Sequence, residues 1–159
     1  MSVLILAVGK LKEKPYRQMA DEYLKRLSRF GKYGETEIPD LPEPQNSSPA
    51  LEERIREKEG EALLRQITPG DYVVAMAIDG RMMDSPGLAR RMGELKARGA
   101  GRIVCVLGGS LGLGKNLLER ADEKWSMSPM TFPHQLARVM LLEQLYRGEK
   151  IQAGERYHK

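Results

Sequence analysis

The sequence predicts one mostly parallel α/β domain, and three observations predict it. The runs Val3–Val8, Tyr72–Ile78 and Ile103–Leu107 are continuously apolar rather than alternating, the pattern of strands buried on both faces. Between them lie segments whose apolar residues recur every three or four positions, so strands alternate with helices. With 159 residues, 41% of them hydrophobic and 30% charged, the chain can fill one core and is too apolar for disorder. Residues 1–159 therefore read as a single domain, with no internal repeat.

Taken in order, the first run ends at Gly9. Tyr16, Met19, Ala20, Tyr23, Leu24, Leu27 and Phe30 then form one helical stripe closed by Gly31. Glu35 to Pro39 reads as a brief strand, and Pro39, Pro42, Pro44 and Pro49 around Asn46-Ser47-Ser48 make 39–49 a loop. A charged helix covers about 49–66 and is broken by Pro69-Gly70; its mixed-sign 52–61 stretch reads as an exposed face. The second strand is expected to stop at Asp79-Gly80. Ser85 before Pro86 is read as the cap of a helix carrying Leu88, Met92 and Leu95. The third strand runs into Gly108-Gly109-Ser110-Leu111-Gly112-Leu113-Gly114. A short helix over about 115–122 leads to Trp125-Ser126-Met127-Ser128. A last helix begins near Pro133 and turns through Leu136, Val139, Met140, Glu143 and Leu145. Parallel sheets bind ligands at the carboxyl ends of their strands, which selects the loops after Ile78, Leu107 and Ser128.

Charge and composition narrow the function classes. The net charge of +4, from 26 Lys and Arg against 22 Asp and Glu, admits a nucleic-acid partner without requiring one. It is unevenly spread: residues 10–33 hold eight basic and three acidic groups, a local excess of +5, which leaves −1 for the rest. Such a segment is either an RNA-facing footprint or a solvated helix face. Cys105, the one cysteine, sits mid-strand and makes no internal disulfide, which fits a reducing compartment. The six-residue run Val3–Val8 is too short to span a bilayer and has no basic flank or cleavage site, so the chain is expected to be cytoplasmic and free of the membrane. Two distant histidines and one cysteine match no zinc spacing, and no metal is expected.

The glycine loop admits several readings. A dinucleotide fingerprint needs a different glycine spacing and an acidic residue about 20 positions on. Gly109 to Lys115 has the spacing of a phosphate-binding loop, with Asp79 as an acidic partner, but Asn116 stands where that loop needs a hydroxyl for magnesium. A backbone-lined adenosine pocket walled by Leu111 and Leu113 is a third reading, and a tight turn without ligand is a fourth.

Several further motifs occur together: Ala7-Val8-Gly9-Lys10 before a basic helix, Gly108-Gly109-Ser110-x-Gly112, Trp125-Ser126-x-Ser128-x-Met130-Thr131-Phe132-Pro133-His134, Leu145-Tyr146-Arg147 and the terminal Tyr157-His158. Along its whole length the chain resembles the bacterial RlmH group, SPOUT-superfamily methyltransferases that act on a pseudouridine of large-subunit ribosomal RNA. The resemblance implies a C-terminal trefoil knot, which topology rules alone would not have suggested. It implies S-adenosylmethionine as cofactor, held by Met76, Gly108, Met127, Ser128, Pro129, Met130, Thr131 and Phe132. It also implies a homodimer acting on N3 of the pseudouridine in the large-subunit RNA of assembled ribosomes. Met76 replaces a commoner leucine, and Gly148 an ordinary helix former, which is expected to fray the last helix by ~1 kcal/mol.

Methyl transfer from a sulfonium needs alignment and electrostatics rather than a metal or covalent enzyme intermediate. The N3 proton must leave, so a base or an anion-stabilising cation is needed. Arg147, Tyr157 and His158 are the candidates: a rigid donor fork, a ring to stack on a base, and a group titrating near neutrality. Lys159 is a phosphate contact and Arg138 a second cationic candidate; His134 is read as a structural hydrogen-bonder. Two other classes stand beside the methyltransferase: a nucleotide hydrolase using Gly109–Lys115, and a non-catalytic ribosome-binding module.

Overall fold

Both faces of Ser2–Val8 (β1) are apolar because the strand lies inside the sheet, parallel to Lys32–Ile38 (β2) on one side and Arg102–Leu107 (β4) on the other. The computed structural model describes residues 1–159. Asp71–Met82 (β3) and Glu123–Ser126 (β5) complete an all-parallel sheet of order β2-β1-β4-β3-β5. Helices Lys14–Leu27 (α1), Ser85–Ala97 (α3) and His134–Gln152 (α5) cover one face, and Pro49–Leu64 (α2) and Lys115–Arg120 (α4) the other.

Successive strand residues point to opposite faces, which divides the core in two. Ile5, Ile103, Cys105 and Trp125 pack with Leu27, Leu95, Leu142 and Leu145, whereas Leu6, Val73, Val104 and Val106 pack with Leu63 and Leu117. No helix is long and apolar enough to cross a membrane.

Five details differ from the sequence reading. β3 does not stop at Asp79-Gly80 but continues to Met82, with an irregular register against β5 between Met76 and Arg81. Gly80 permits this, since a Cβ there would lie 2.7 Å from the Trp125 carbonyl carbon, and Asp79 pairs with Lys124 at 2.9 Å. Trp125-Ser126 belongs to a fifth strand too short to show periodicity. The cap of α3 is Asp84, whose carboxylate accepts from the Gly87 N–H at 2.7 Å, and Ser85 is its first residue. Gly148 frays nothing: α5 continues to Gln152, and a Cβ at Gly148 would lie 3.6 Å from the Ala89 Cα, so the small residue lets α3 and α5 approach. In α2, Ile55, Glu59, Gly60 and Leu63 are buried, so part of its mixed-charge stretch faces inward.

Arg138 is not a surface cation. It is 1% exposed and lies 2.6 Å from Glu37 and 3.3 Å from Glu35, donating also to the Gly9 carbonyl at 2.8 Å. Arg17 of α1 pairs with the same two carboxylates. Arg138 thus ties the start of α5 to β2 and to the turn after β1, and is closed to RNA.

At the amino ends of the strands, Asp71 accepts from Arg102 Nε at 2.8 Å and from the Thr68 N–H at 2.7 Å. The hydrogen bond from Arg102 holds the Asp71 carboxyl below the usual carboxylate range, with smaller help from Thr68 against burial. A depressed folded-state pKa stabilises the fold above the unfolded value of about 4 and stops doing so as pH falls through the folded value. Asp71→Asn is therefore expected to lower Tm at neutral pH and to flatten its fall below about pH 4, as read by melting curves from pH 2 to 7.

Candidate functional site

Three strand ends stand side by side at the carboxyl edge of the sheet, because Ala75 pairs with Val106 and Met76 with Trp125. The glycine loop leaves β4 there, the β3 extension rises beside it, and residues 127–132 follow β5. These are the three loops that the strand-end rule selects.

The glycine loop folds on itself. Gly109 and Gly112 form an antiparallel bridge, with the Gly112 N–H donating to the Gly109 carbonyl at 3.1 Å, and Gly112 has φ +81°. A Cβ at Gly108 would lie 2.6 Å from the Gly112 carbonyl carbon. Gly108→Ala is expected to cost about 1–3 kcal/mol by overpacking, visible as a Tm lowered by several degrees. Unlike a surface site, Gly108 should show this loss without any ligand present.

The phosphate-loop alternative does not fit. Lys115 is exposed and pairs with Glu53 at 3.1 Å. Asn116 turns into α2, its Nδ2 donating to the Glu57 carbonyl at 2.9 Å, and it fills the space that a side chain at Gly60 would need. Both key side chains of the near-match serve the contact between α4 and α2 instead of a phosphate cradle.

A cavity of about 710 Å³ opens between α1, α3, α5 and the ends of β3 and β5. Met76, Met83, Trp125, Met127, Val139 and Met140 supply apolar wall; Asp84, Ser85, Ser126, Glu143, Gln144 and His158 supply its polar groups. Trp125 is held from behind, its indole N–H donating to Glu123, which also accepts from Tyr72 at 2.9 Å and pairs with Arg91.

Of the positions implied for a cofactor, Met76 and Met127 line this cavity. Gly108 lies at the next strand end, outside its wall. Ser128 to Phe132 form the loop after β5 and do not line it. In that loop the Ser128 hydroxyl accepts from the Met130 N–H at 3.0 Å, and the Ser126 hydroxyl donates to the Ser128 carbonyl at 3.1 Å. Pro129, Met130 and Thr131 are exposed, Met130 to 72%, and Phe132 is half-buried.

Arg147, Tyr157 and His158 come together. The Arg147 guanidinium carbon is 4.7 Å from the Tyr157 ring centre, and its Nη1 is 3.4 Å from His158 Nδ1. The Tyr157 ring meets Tyr146 edge-on at 5.0 Å. At the centre is Glu143, a residue the sequence placed only on a helix turn. Its Oε1 accepts from Arg147 Nη2 at 2.6 Å, Arg147 Nε at 3.1 Å and the Tyr157 hydroxyl at 3.1 Å. Its Oε2 accepts from Gln144 Nε2 at 2.7 Å, and Gln144 Oε1 accepts from the Ser85 hydroxyl at 2.6 Å. The sequence signal for Glu143 was its spacing of four from Arg147 on one helix.

This arrangement sets the charges. The hydrogen bonds that Arg147 donates to Glu143 raise its pKa further, so the guanidinium is permanently charged. Burial, and then the Glu143 carboxylate, push the Tyr157 phenol up to about 12, so it is a neutral donor at physiological pH. A guanidinium has only donors, so a hydrogen bond between Arg147 Nη1 and His158 Nδ1 requires Nδ1 to be the acceptor. Lys159 and His134 are exposed; His134 borders a small second cavity of about 40 Å³ beside Gly109 and Glu59.

Comparison with known proteins places the whole chain in one family. The family described as "Predicted SPOUT methyltransferase" matches residues 1–158. The protein called Ribosomal RNA large subunit methyltransferase H from Alkaliphilus oremlandii (strain OhILAs) is 48% identical over 159 residues, covering 100% of both chains. Proteins of the same name from Clostridium novyi (strain NT) and Shouchella clausii (strain KSM-K16) are 49% and 48% identical, again over the full length of both chains. In fold, the chain is similar to a probable methylase family protein from Haemophilus influenzae Rd KW20, with a TM-score of 0.54 at 11% identity, covering 99% of this chain and 70% of the other.

Proposed function

Because the chain belongs to the SPOUT methyltransferase family, alongside full-length relatives named as ribosomal RNA large subunit methyltransferases H, we propose that it methylates N3 of a pseudouridine in large-subunit ribosomal RNA. Its methyl donor in this reading is S-adenosylmethionine, its substrate is the assembled ribosome, and its working form is a cytoplasmic homodimer with a knotted C-terminal region. The observation that carries the proposal is the meeting at one cavity of His158 and Glu143, with Arg147 and Tyr157 held against them, and the strand-end residues Met76 and Met127.

The residues fit the donor. A cavity of about 710 Å³ suits a ligand of nucleoside size. The Met76, Met127 and Trp125 walls suit an adenine ring, and the Asp84 and Glu143 carboxylates suit a cationic group. When bound, S-adenosylmethionine supplies an electrophilic methyl group on a positively charged sulfur. Gly108 and the loop 127–132 complete its binding edge in this proposal.

The chain's own part is to hold the pseudouridine and manage the N3 proton. Arg147 has Nε and Nη2 engaged by Glu143, and Nη1, 3.4 Å from His158 Nδ1, is the nitrogen that faces the ring as it becomes anionic. Tyr157 offers an aromatic face for the substrate base and, protonated up to about 12, does not act as the base. His158 accepts the N3 proton only after Nδ1 leaves Arg147 or the ring turns, so the stabilising cation carries more of the catalysis than the histidine does. Tyr157→Phe is expected to slow transfer by about three- to tenfold, the worth of one hydrogen bond to Glu143, without shifting the pH–rate profile between pH 6 and 9.

The test is direct. Labelled S-adenosylmethionine is incubated with ribosomes lacking the modification, and the label is located. Transfer to large-subunit RNA supports the proposal; ribosome binding without transfer leaves a non-catalytic binding module instead.

A further inference from the structure

The basic segment 10–33 that stands out in the sequence is divided by the fold into two ends with different electrostatics. At the carboxyl end of α1, Arg26 pairs with Glu22 at 2.8 Å, and Arg29 pairs with Glu155 of the tail. Lys150 pairs with the same Glu155, and Arg147 with Glu143. Carboxylates there offset the arginines, while Lys25 and Lys32 stay exposed without an ion-pair partner.

The other end differs. Lys10, Lys12 and Lys14 are exposed, and none has a carboxylate within ion-pair distance. Chain geometry puts them at the site, because they follow the carboxyl end of β1. The intervening Leu11 is buried in the same core as Trp125 and Val139, and the Glu13 N–H meets Gln135 Oε1 at 3.4 Å. Gln135 lies one residue before Leu136, which lines the cavity. Across the cavity, Arg81 is exposed on the β3 extension, also without an ion-pair partner, two residues before the lining Met83. Unpaired cations therefore flank the cavity on both sides.

We propose that Lys10, Lys12 and Lys14 on one side and Arg81 on the other form a two-sided clamp for the RNA phosphates flanking the target base. The inference rests on the methyltransferase reading for the identity of the RNA, and it assigns binding to cations the active-site group does not contain. A strand crossing the cavity edge meets phosphate-directed charge before and after the position facing Arg147. The paired cations at the far end of α1 contribute little, since salt-bridged groups have fewer counterions to displace.

The test measures ribosome affinity across a salt series, by co-sedimentation, and methyl transfer in the same samples. The variants are Lys10→Gln/Lys12→Gln/Lys14→Gln, Arg81→Gln, and the control Lys25→Gln/Lys32→Gln, which removes two exposed cations elsewhere in the segment. Each lost phosphate contact lowers the log–log salt slope by roughly 0.7–0.9. The triple variant should thus lose about 20–40-fold less affinity than wild type between 50 and 200 mM salt, starting from weaker binding. Arg81→Gln should shallow the slope by about one contact, with the control unchanged and S-adenosylmethionine affinity the same in every variant. A triple variant with wild-type affinity and slope, or a control with an equal loss, overturns the clamp. Wild-type protein that binds ribosomes with the expected salt response but transfers no methyl group supports the clamp and contradicts the methylation reading alone.

Discussion

Arg147→Ala is expected to fold, to bind S-adenosylmethionine as wild type does, and to transfer methyl groups at least ~100-fold more slowly. Removing one preorganised donor aimed at developing charge typically costs about 10²–10³ in kcat. Arg147 meets that description because Glu143 fixes two of its nitrogens while Nη1 stays beside His158, which lines the cavity. Arg147→Lys should rescue little, since an ammonium cannot keep the Glu143 fork and face the ring together. Glu143→Gln should fall between the two, leaving the guanidinium charged but loosely aimed. Single-turnover rates with saturating ribosomes, taken with melting curves, check all three. A large Tm loss with unchanged kcat would make Arg147 a structural residue.

Arg138→Ala is expected to have the largest effect on stability. Breaking a buried ion pair by removing one partner costs about 3–5 kcal/mol, because the remaining charge is left buried. Glu35 and Glu37 would keep Arg17 as their one arginine, and the Gly9 carbonyl would lose its donor. In a chain of this size that corresponds to a Tm lower by roughly 6–20 °C. Arg138→Ala combined with Glu37→Gln should recover part of it, since less uncompensated charge remains. Were Arg138 a phosphate contact, Tm would stay and ribosome affinity would fall.

Much of this was legible in the sequence, and the parts that were not share physical causes. The three inner strands are apolar on both faces and announced themselves; β5 is four residues long and carries Glu and Lys, so no period marked it. Asp79-Gly80 looks like a stop by local propensity, yet tertiary pairing overrides it because Gly80 lets β3 pass close to the β5 backbone. Asp84 and Ser85 are both good caps, and only backbone geometry chooses between them. At the site, Arg147, Tyr157 and His158 were named through the family resemblance; by type and position alone, a helix arginine and a tail histidine read as surface groups. Glu143 could not be named, because a carboxylate on a helix turn usually faces water and its role depends on the tail folding back to bring Tyr157 within reach. Arg138 was misread for the converse reason: a helix-surface arginine and a buried one look alike until β2 supplies Glu35 and Glu37.

The most direct test of the account is to supply labelled S-adenosylmethionine to the protein and ribosomes lacking the modification, digest the RNA, and identify the labelled nucleoside. The account predicts one label per ribosome, on N3 of a pseudouridine in large-subunit RNA, reduced at least ~100-fold in rate by Arg147→Ala. Label on another base or in the small subunit, no label, or full activity in the Arg147→Ala protein would contradict it.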